Sequence, residues 1–449
     1  MNPTKSFGAL FLLFITLSIS APQAIARAPL SYSSPSQISV RMYWLTASGA
    51  RREPYTLCAS GHTQWGCTAF CNEPGYPCEG SQTLAYPYTT NPVNIQIETD
   101  YLLDVVPKEV SVEAFHPTAI QAQAIAARSY AYWHINQGST INNSAQFQVF
   151  VPHAFEALPP TTFPDNPSNP CTNSNLNADQ HIVCNAVAPR YYIAYGTYSN
   201  DDLPAFTEYF ADIRNRTVSG GQPYLIAVDD PISSHPDIGN DGHGHGLSQK
   251  GASRWARGDL SYNLNWDFGA WSGRWERAEQ ILVHYYTGIH IRDGSGTRLT
   301  PLYRWNPLRI TWNTPDNRPP IMYHGGSYPM AIQVQNTSPY DWPINGQFWA
   351  LSYHWAKAGF GETASDNRVW TTVDVPKGDP PYTFSLTIND IPNWGPGAYT
   401  LKFDMLLFTY GGTYWFSTTY GWPTYNVSIC VDGPCKVFIP IVLNTTMAH

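Results

Sequence analysis

The stretch 101-YLLDVVPKEVSVEAFHPTAIQAQAIAARSYA-131 sets an apolar run, a proline, two carboxylates and an alanine-rich segment in immediate succession. Its first part continues 93-VNIQIETDYLLDVV-106 and predicts a strand that runs into Pro107, since β-branched residues favour extended backbone and proline cannot serve a sheet ladder. Its second part predicts a helix over 117–136. Pro117 suits the first helical position, where a missing N–H costs nothing. Six alanines fall between 119 and 131, and Ile120, Ala124, Ala127 and Ala131 share one face at helical spacing. Small residues there let another backbone approach closely. Glu109 stands at the junction and Glu113 four residues on. A carboxyl held there against apolar walls would favour its protonated form and serve as a general acid. Without such walls the two are surface carboxylates, and the local sequence leaves both readings open. Arg128, the one Lys or Arg of this helix, calls for carboxylate or carbonyl partners, in a salt bridge or on a substrate. Gln123 carries the same two readings.

At 449 residues the chain predicts two domains. Aromatics make up 14% and charged residues only 13%, which excludes a disordered chain and fits a β-rich globular one. A net charge of −8 argues against nucleic acid as a partner. At the start, Lys5, the apolar run 8-GALFLLFITLSI-19 and the small residues 24-AIA-26 predict a signal peptide, residues 1–26, and so a secreted or cell-wall-associated protein. That run falls short of the roughly 20 residues a bilayer span needs, so no span is expected after cleavage. Eight cysteines fit an oxidising compartment. Proximity pairs Cys171 with Cys184 and Cys430 with Cys435. Cys58, Cys67, Cys71 and Cys78 allow three connectivities; a zinc knuckle is the rival reading of that group, which the secretory context disfavours.

Alternation predicts a strand at 37–46, followed by a cysteine-stapled region at 47–92. Asn, Pro and Thr predict loop over 138–180. Strands are expected at 187–196 and 205–213, and helices at 248–257 and 275–288, the last closed by Gly288. Beyond Thr300 the pattern changes to short alternating runs at 329–336, 347–355, 383–388 and 398–407, separated by Pro/Gly turns. That spacing predicts a β-sandwich. The expected fold class is therefore α+β, with a mixed domain over 27–297, an all-β sandwich over 298–435, and a tail or last strand over 436–449. Tyr399, after a Pro-Gly turn, suits a tyrosine corner. Trp394, Trp415 and Trp422 offer flat faces for sugar rings, but core and turn packing is the simpler reading.

A second motif, 241-DGHGHGLSQKGASRWA-256, puts two histidines at i, i+2 in a glycine-rich bend before a helix. Alone it permits a His-x-His metal clip. Together the two motifs resemble the signatures of the stage II sporulation protein D (SpoIID) family, YL-x-x-VVP-x-E followed by AQA-x-AAR-[TS]-Y-A, and GHG-x-G-[ML]-SQ-x-GA. The first is met by Tyr101, Leu102, Val105, Val106, Pro107 and Glu109, then by Ala122, Gln123, Ala124, Ala126, Ala127, Arg128, Ser129, Tyr130 and Ala131. The second reads 242-GHGHGLSQKGA-252, where His243 matches the family histidine and His245 fills a variable position. Weaker elements follow at 222-QPYLIAVDDP-231 and 280-QILVHYYTG-288. The resemblance covers roughly residues 37–292, and the sandwich region resembles Ig-like modules.

The resemblance implies a peptidoglycan lytic transglycosylase that cleaves glycan strands, with Glu109 as catalytic acid and no cofactor. It also points to Gln123, Arg128, His243, Ser248 and Gln249 as substrate-binding residues. One carboxyl suffices if the muramoyl 6-hydroxyl attacks C1 and leaves an anhydro sugar. Glu113 or Asp104 would instead complete the pair of an ordinary glycosidase. Some family members hold zinc through His and Cys just after the helix; here 139-STINNSAQFQVFVPH-153 has no cysteine, so no metal is expected. The family's turn before the third element is replaced by 210-FADIRNRTVSGG-221. Two non-enzymatic rivals remain: a wall-binding enhancer of a cell-wall amidase, and a surface adhesin built on the Ig-like module.

Overall fold

A computed structural model describes residues 32–45, 50–54, 92–160, 168–196 and 203–435. The expected signal peptide, the cysteines at 58–78 and the expected strand at 437–444 lie outside these residues.

Helix α2, Pro117–Asn136, lies at the centre of the first half, and its start is capped by His116, whose Nδ1 accepts the Thr118 N–H at 3.2 Å. Its alanines allow burial on two sides. Ile120, Ala124, Ala127 and Ala131 enter one apolar core, while Ala119, Ala122, Ile125 and Ala126 enter another. An added methylene on either face would overpack it, at about 1–3 kcal/mol.

The expected strand over 93–106 stops early. Only Val93–Gln96 is extended; a π-helical turn, Ile97–Tyr101, leads into helix α1, Leu102–Glu109. Residues 101–106 are all buried, so the apolar run fits a buried helix as well as a buried strand, and composition does not separate them. Pro107 is tolerated late in this short helix, where it removes one donor, to the Leu103 carbonyl. The backbone turns extended at Val110 (φ −136°, ψ 142°), which leaves Glu109 as the last helical residue.

A second correction concerns 178–187, of which the sequence reading covers only 178–180, as loop, and Val187, as the start of a strand. It forms helix α3, Ala178–Val187, closed at its start by a reciprocal Asn177–Gln180 capping box. The Cys171–Cys184 disulfide ties α3 to the preceding turn, and Cys430–Cys435 pairs as expected. The strands expected at 187–196 and 205–213 shrink to Tyr192–Ala194 and Tyr209–Phe210. Helix α4, Gln249–Arg257, ends at Gly258 in the left-handed region, and helix α5, Ala278–Tyr285, is shorter than expected.

The C-terminal region is β-rich. One antiparallel sheet joins Trp305–Trp312, Tyr328–Asn336 and Tyr382–Ile388; a second is built on Phe348–Lys357 and Gly397–Thr409, with four shorter partners. Of the four alternating runs expected beyond Thr300, three fall within these strands and the fourth, 347–355, starts one residue before its strand. Tyr399 forms the expected corner: its hydroxyl donates to the Gly395 carbonyl at 2.8 Å and accepts the Trp394 N–H at 3.2 Å.

No apolar gap separates the halves. A single buried cluster runs from Ala122 on α2 through Trp255 and Trp275 to Trp305, Trp349 and Phe403. Trp255 and Trp275 stack at 3.8 Å, the Trp275 indole donates to the Pro307 carbonyl at 3.1 Å, and the Trp271 indole to that of Leu308 at 2.9 Å.

Candidate active site

The carboxyl of Glu109 comes off the C-terminal end of α1 and meets three donors from distant segments. Oε1 accepts the Val149 N–H at 2.7 Å, and the side chains of Gln249 and Tyr209 also bond the carboxyl. Burial outweighs these bonds and pushes the carboxyl up from 4.5 to about 7. The residual negative charge of a helix C-terminus acts in the same direction. Desolvation is the leading cause, and no neighbouring carboxylate contributes. Near neutral pH such a group divides between acid and base, as general acid–base chemistry requires.

Tyr209 is itself placed by a relay. The Tyr101 hydroxyl donates to Gln148 Oε1 at 2.8 Å; Gln148 Nε2 donates to the Tyr209 hydroxyl at 3.0 Å and to the Ala127 carbonyl at 3.1 Å. Because Gln148 donates to its oxygen, the Tyr209 hydroxyl keeps its own proton for the Glu109 carboxyl. Burial, then the Glu109 charge, holds the Tyr209 hydroxyl well above its usual range, so it stays a donor.

The glycine-rich loop delivers Gln249 to the same place. Leu247 and Ser248 pair in parallel with Tyr209 and Phe210, so α4 begins beside Tyr209. The Ser248 hydroxyl accepts the Gly251 N–H at 3.1 Å as N-cap, so it serves the helix start. Gly246 has φ +75°, and a Cβ there would lie 2.1 Å from the Glu208 carbonyl oxygen. Only glycine allows that approach.

Arg128 is fully buried and bound elsewhere. Nε and Nη2 grip Glu98 at 2.9 and 2.7 Å, Nη1 donates to Tyr191 O at 2.9 Å and Nη2 to Val187 O at 2.6 Å. This is the salt-bridge reading, because its donors are spent on protein partners. Gln123 is also buried, but neither polar atom of its amide has a protein partner. It lies about two turns before Tyr130 and three before His134 on one face of α2. An unpaired buried amide of that kind gains by bonding a ligand. Asp104 accepts the N–H groups of His153 and Phe155, both at 2.9 Å, and so anchors that turn; Glu113 is exposed.

Sequence reasoning missed Tyr209, Gln148 and Val149. Tyr101 stood in the first motif, yet nothing local linked it to residue 148. Missed too was Glu208, whose carboxylate lies with His243 and His245 so that one donor atom from each falls within 4.8 Å of the others. Of the three C-terminal tryptophans, Trp422 is buried and donates to the Trp305 carbonyl. Trp394 stacks between Phe360 and Tyr399, and Trp415 lies against His354. These contacts fit the packing reading. A cleft of about 880 Å³ is lined by Tyr32, Glu98, Tyr132 and Arg190 and not by Glu109; the site is identified by its chemistry and not by its size.

Residues 88–201 match the family described as SpoIID, stage II sporulation protein. This segment holds Glu109, α1 and α2 and links that part of the chain to a family associated with cell-wall lysis in general. Comparison with curated protein sequences gives no match. Among solved structures, the sporulation control protein Spo0M from Bacillus subtilis is 13% identical over 30% of this chain and 50% of that one, with a TM-score of 0.18. The C-terminal domain of wzt is 13% identical over 30% and 83%, with a TM-score of 0.20. A β-glucosidase from Listeria innocua in complex with glucose is 13% identical over 31% and 17%, at 0.17. The chain thus spans about half the length of Spo0M, and at these scores the structural likenesses carry no argument. No helix among the described residues is long and apolar enough to cross a membrane.

Proposed function

We propose that the protein is a secreted peptidoglycan lytic transglycosylase, with a SpoIID-type catalytic region over 27–297 and an Ig-like sandwich over 298–435. The observation that carries the proposal is the Glu109 carboxyl, raised to about 7 by burial with no partner carboxylate acting on it. The protonated form donates to the glycosidic oxygen as the C1–O bond breaks. The resulting carboxylate then removes the proton from the muramoyl 6-hydroxyl as that oxygen closes on C1. Glu109 ends where it began, and no water enters the product. Tyr209 and Gln249 hold the carboxyl in place and stabilise its ionised form between the two steps.

The ordinary glycosidase alternative needs a second carboxylate roughly 5–10 Å away to bind or activate the attacking group. Asp104 is committed to two backbone donors, which disfavours it. Gln123 and His243 remain the substrate-binding candidates; Arg128 and Ser248 act through the framework.

The test is mass spectrometry of purified glycan strands after incubation with wild type and Glu109→Gln in ¹⁸O water. Anhydro-muramoyl ends with wild type alone support the proposal. Labelled reducing ends would replace it with hydrolysis. No new ends from wild type, with stimulation of an added amidase, would favour the non-catalytic enhancer.

A further inference from the structure

We propose that Glu208, His243 and His245 form a binding site for one zinc-class divalent cation. The inference stands apart from the lytic reading, because binding is measured without any glycan. Two imidazoles and one carboxylate are a donor set that borderline cations favour, and three protein ligands leave a fourth position for water or a ligand oxygen.

The backbone prepares this cluster. Gly242, Gly244 and Gly246 all have positive φ, of +103°, +82° and +75°, and each packs where a side chain would collide. A Cβ at Gly242 would lie 2.8 Å from Phe210 Cβ, and one at Gly244 2.9 Å from Val218 Cγ2. The Val218 N–H bonds the Gly244 carbonyl at 2.9 Å, and the Leu247 N–H bonds that of Glu208 at 3.2 Å. The loop is thereby fastened between the two histidines and just after them, and the second bond fixes it directly to the residue that supplies the carboxylate.

The side chains are nearly at ligand spacing. His245 Nδ1 lies 3.6 Å from Glu208 Oε2, and the two imidazole centroids are 5.0 Å apart. Ligand atoms on a tetrahedral zinc, each about 2.0–2.1 Å from the metal, are roughly 3.4 Å apart. The Glu208–His245 edge already fits. One ligand atom from each of the three residues falls within 4.8 Å of the others, and the exposed His243 ring is the group free to move and complete the set. His243 Nδ1 accepts the His245 N–H at 3.0 Å, so its other ring nitrogen is the ligand atom; that atom gives up its contact with the Tyr209 carbonyl. Among the described residues, Glu208 forms no ion pair with a lysine or arginine; its close ionisable neighbour is the His245 imidazole. A cation would supply the missing positive charge. It would also sit next in sequence to Tyr209, the donor on Glu109.

The experiment uses the full chain, stripped of metal by a chelator and titrated with Zn²⁺ by calorimetry, then with Co²⁺ by absorption spectroscopy. One equivalent is expected, weakened at least 100-fold in Glu208→Gln and in His245→Ala, and unchanged in His324→Ala. The cobalt form should show bands of a four- or five-coordinate nitrogen/oxygen site without a thiolate charge-transfer band. A thiolate band would place the metal on the cysteines at 58–78 and overturn the proposal. So would undiminished binding by Glu208→Gln, or no binding at millimolar Zn²⁺. If a substituted chain fails to fold, X-ray absorption on the zinc-loaded wild type decides. Two imidazoles with oxygen donors sustain the site; sulfur or a single imidazole refutes it.

Discussion

Neutralising Glu109 should stabilise the protein, and only at higher pH. The carboxyl is raised from 4.5 to about 7, and a tenfold change in proton affinity is worth about 1.4 kcal/mol, so holding it ionised in the folded chain costs about 3 kcal/mol. Below pH 4.5 the group is protonated in folded and unfolded chains alike and the cost is absent. Between 4.5 and 7 the unfolded chain loses the proton while the folded chain keeps it, so wild-type stability falls as pH rises. Above 7 both are ionised and the full cost applies. Glu109→Gln removes this dependence. The amide also opposes one of the donors now facing the carboxyl, at about 1 kcal/mol, but that loss is the same at every pH. Urea unfolding of both proteins at pH 4 and pH 8 isolates the effect. The variant should gain about 3 kcal/mol relative to wild type between the two conditions. A difference that stays flat, within roughly 0.5 kcal/mol, would mean that Glu109 titrates as an ordinary carboxylate and would remove the basis for its role as acid.

Tyr209→Phe removes a donor to the ionised Glu109 carboxyl, so its pKa should rise further and the alkaline limb of the pH–rate profile should move up by about one unit; an unmoved limb would deny the contact. Arg128→Met leaves the half-buried Glu98 without its cation and should destabilise by about 2–4 kcal/mol, with partial recovery in the double variant with Glu98→Gln, read by thermal melting. Gly246→Ala forces a Cβ into the Glu208 carbonyl; the melting temperature should fall and the pH 4–8 stability difference attributed to Glu109 should grow, because the ionised carboxyl loses the Gln249 donor. A chain ending at residue 297 exposes Trp255 and Trp275 and should bind a hydrophobic dye strongly, whereas a clean two-state melt of that fragment would show the halves to be independent.

The legible parts of this molecule were those with local causes. The helix at 117–136 announced itself through Pro117 and its alanine spacing, the start of α4 through Ser248, and the Tyr399 corner through the turn before it. The misread parts had non-local ones. Residues 101–106 carry β-branched side chains, yet burial all round makes them helical. The Asn177–Gln180 capping box was visible but hidden within a stretch rich in Asn and Pro. Glu109 could be singled out from its motif, but its environment could not, because Val149, Tyr209 and Gln249 reach it from separate segments. Arg128 fitted either of two readings until Glu98 was seen opposite it.

The pairing of Leu247–Ser248 with Tyr209–Phe210 also has a consequence for timing. The groups that tune Glu109 lie up to more than a hundred residues further along the chain, and a two-residue parallel bridge is among the last contacts that loop-closure entropy allows to form. Until the walls that bury it close, residue 109 is an ordinary, ionised glutamate near neutral pH. The growing or half-folded chain therefore has no acid to offer, and reactivity arrives only with the completed fold.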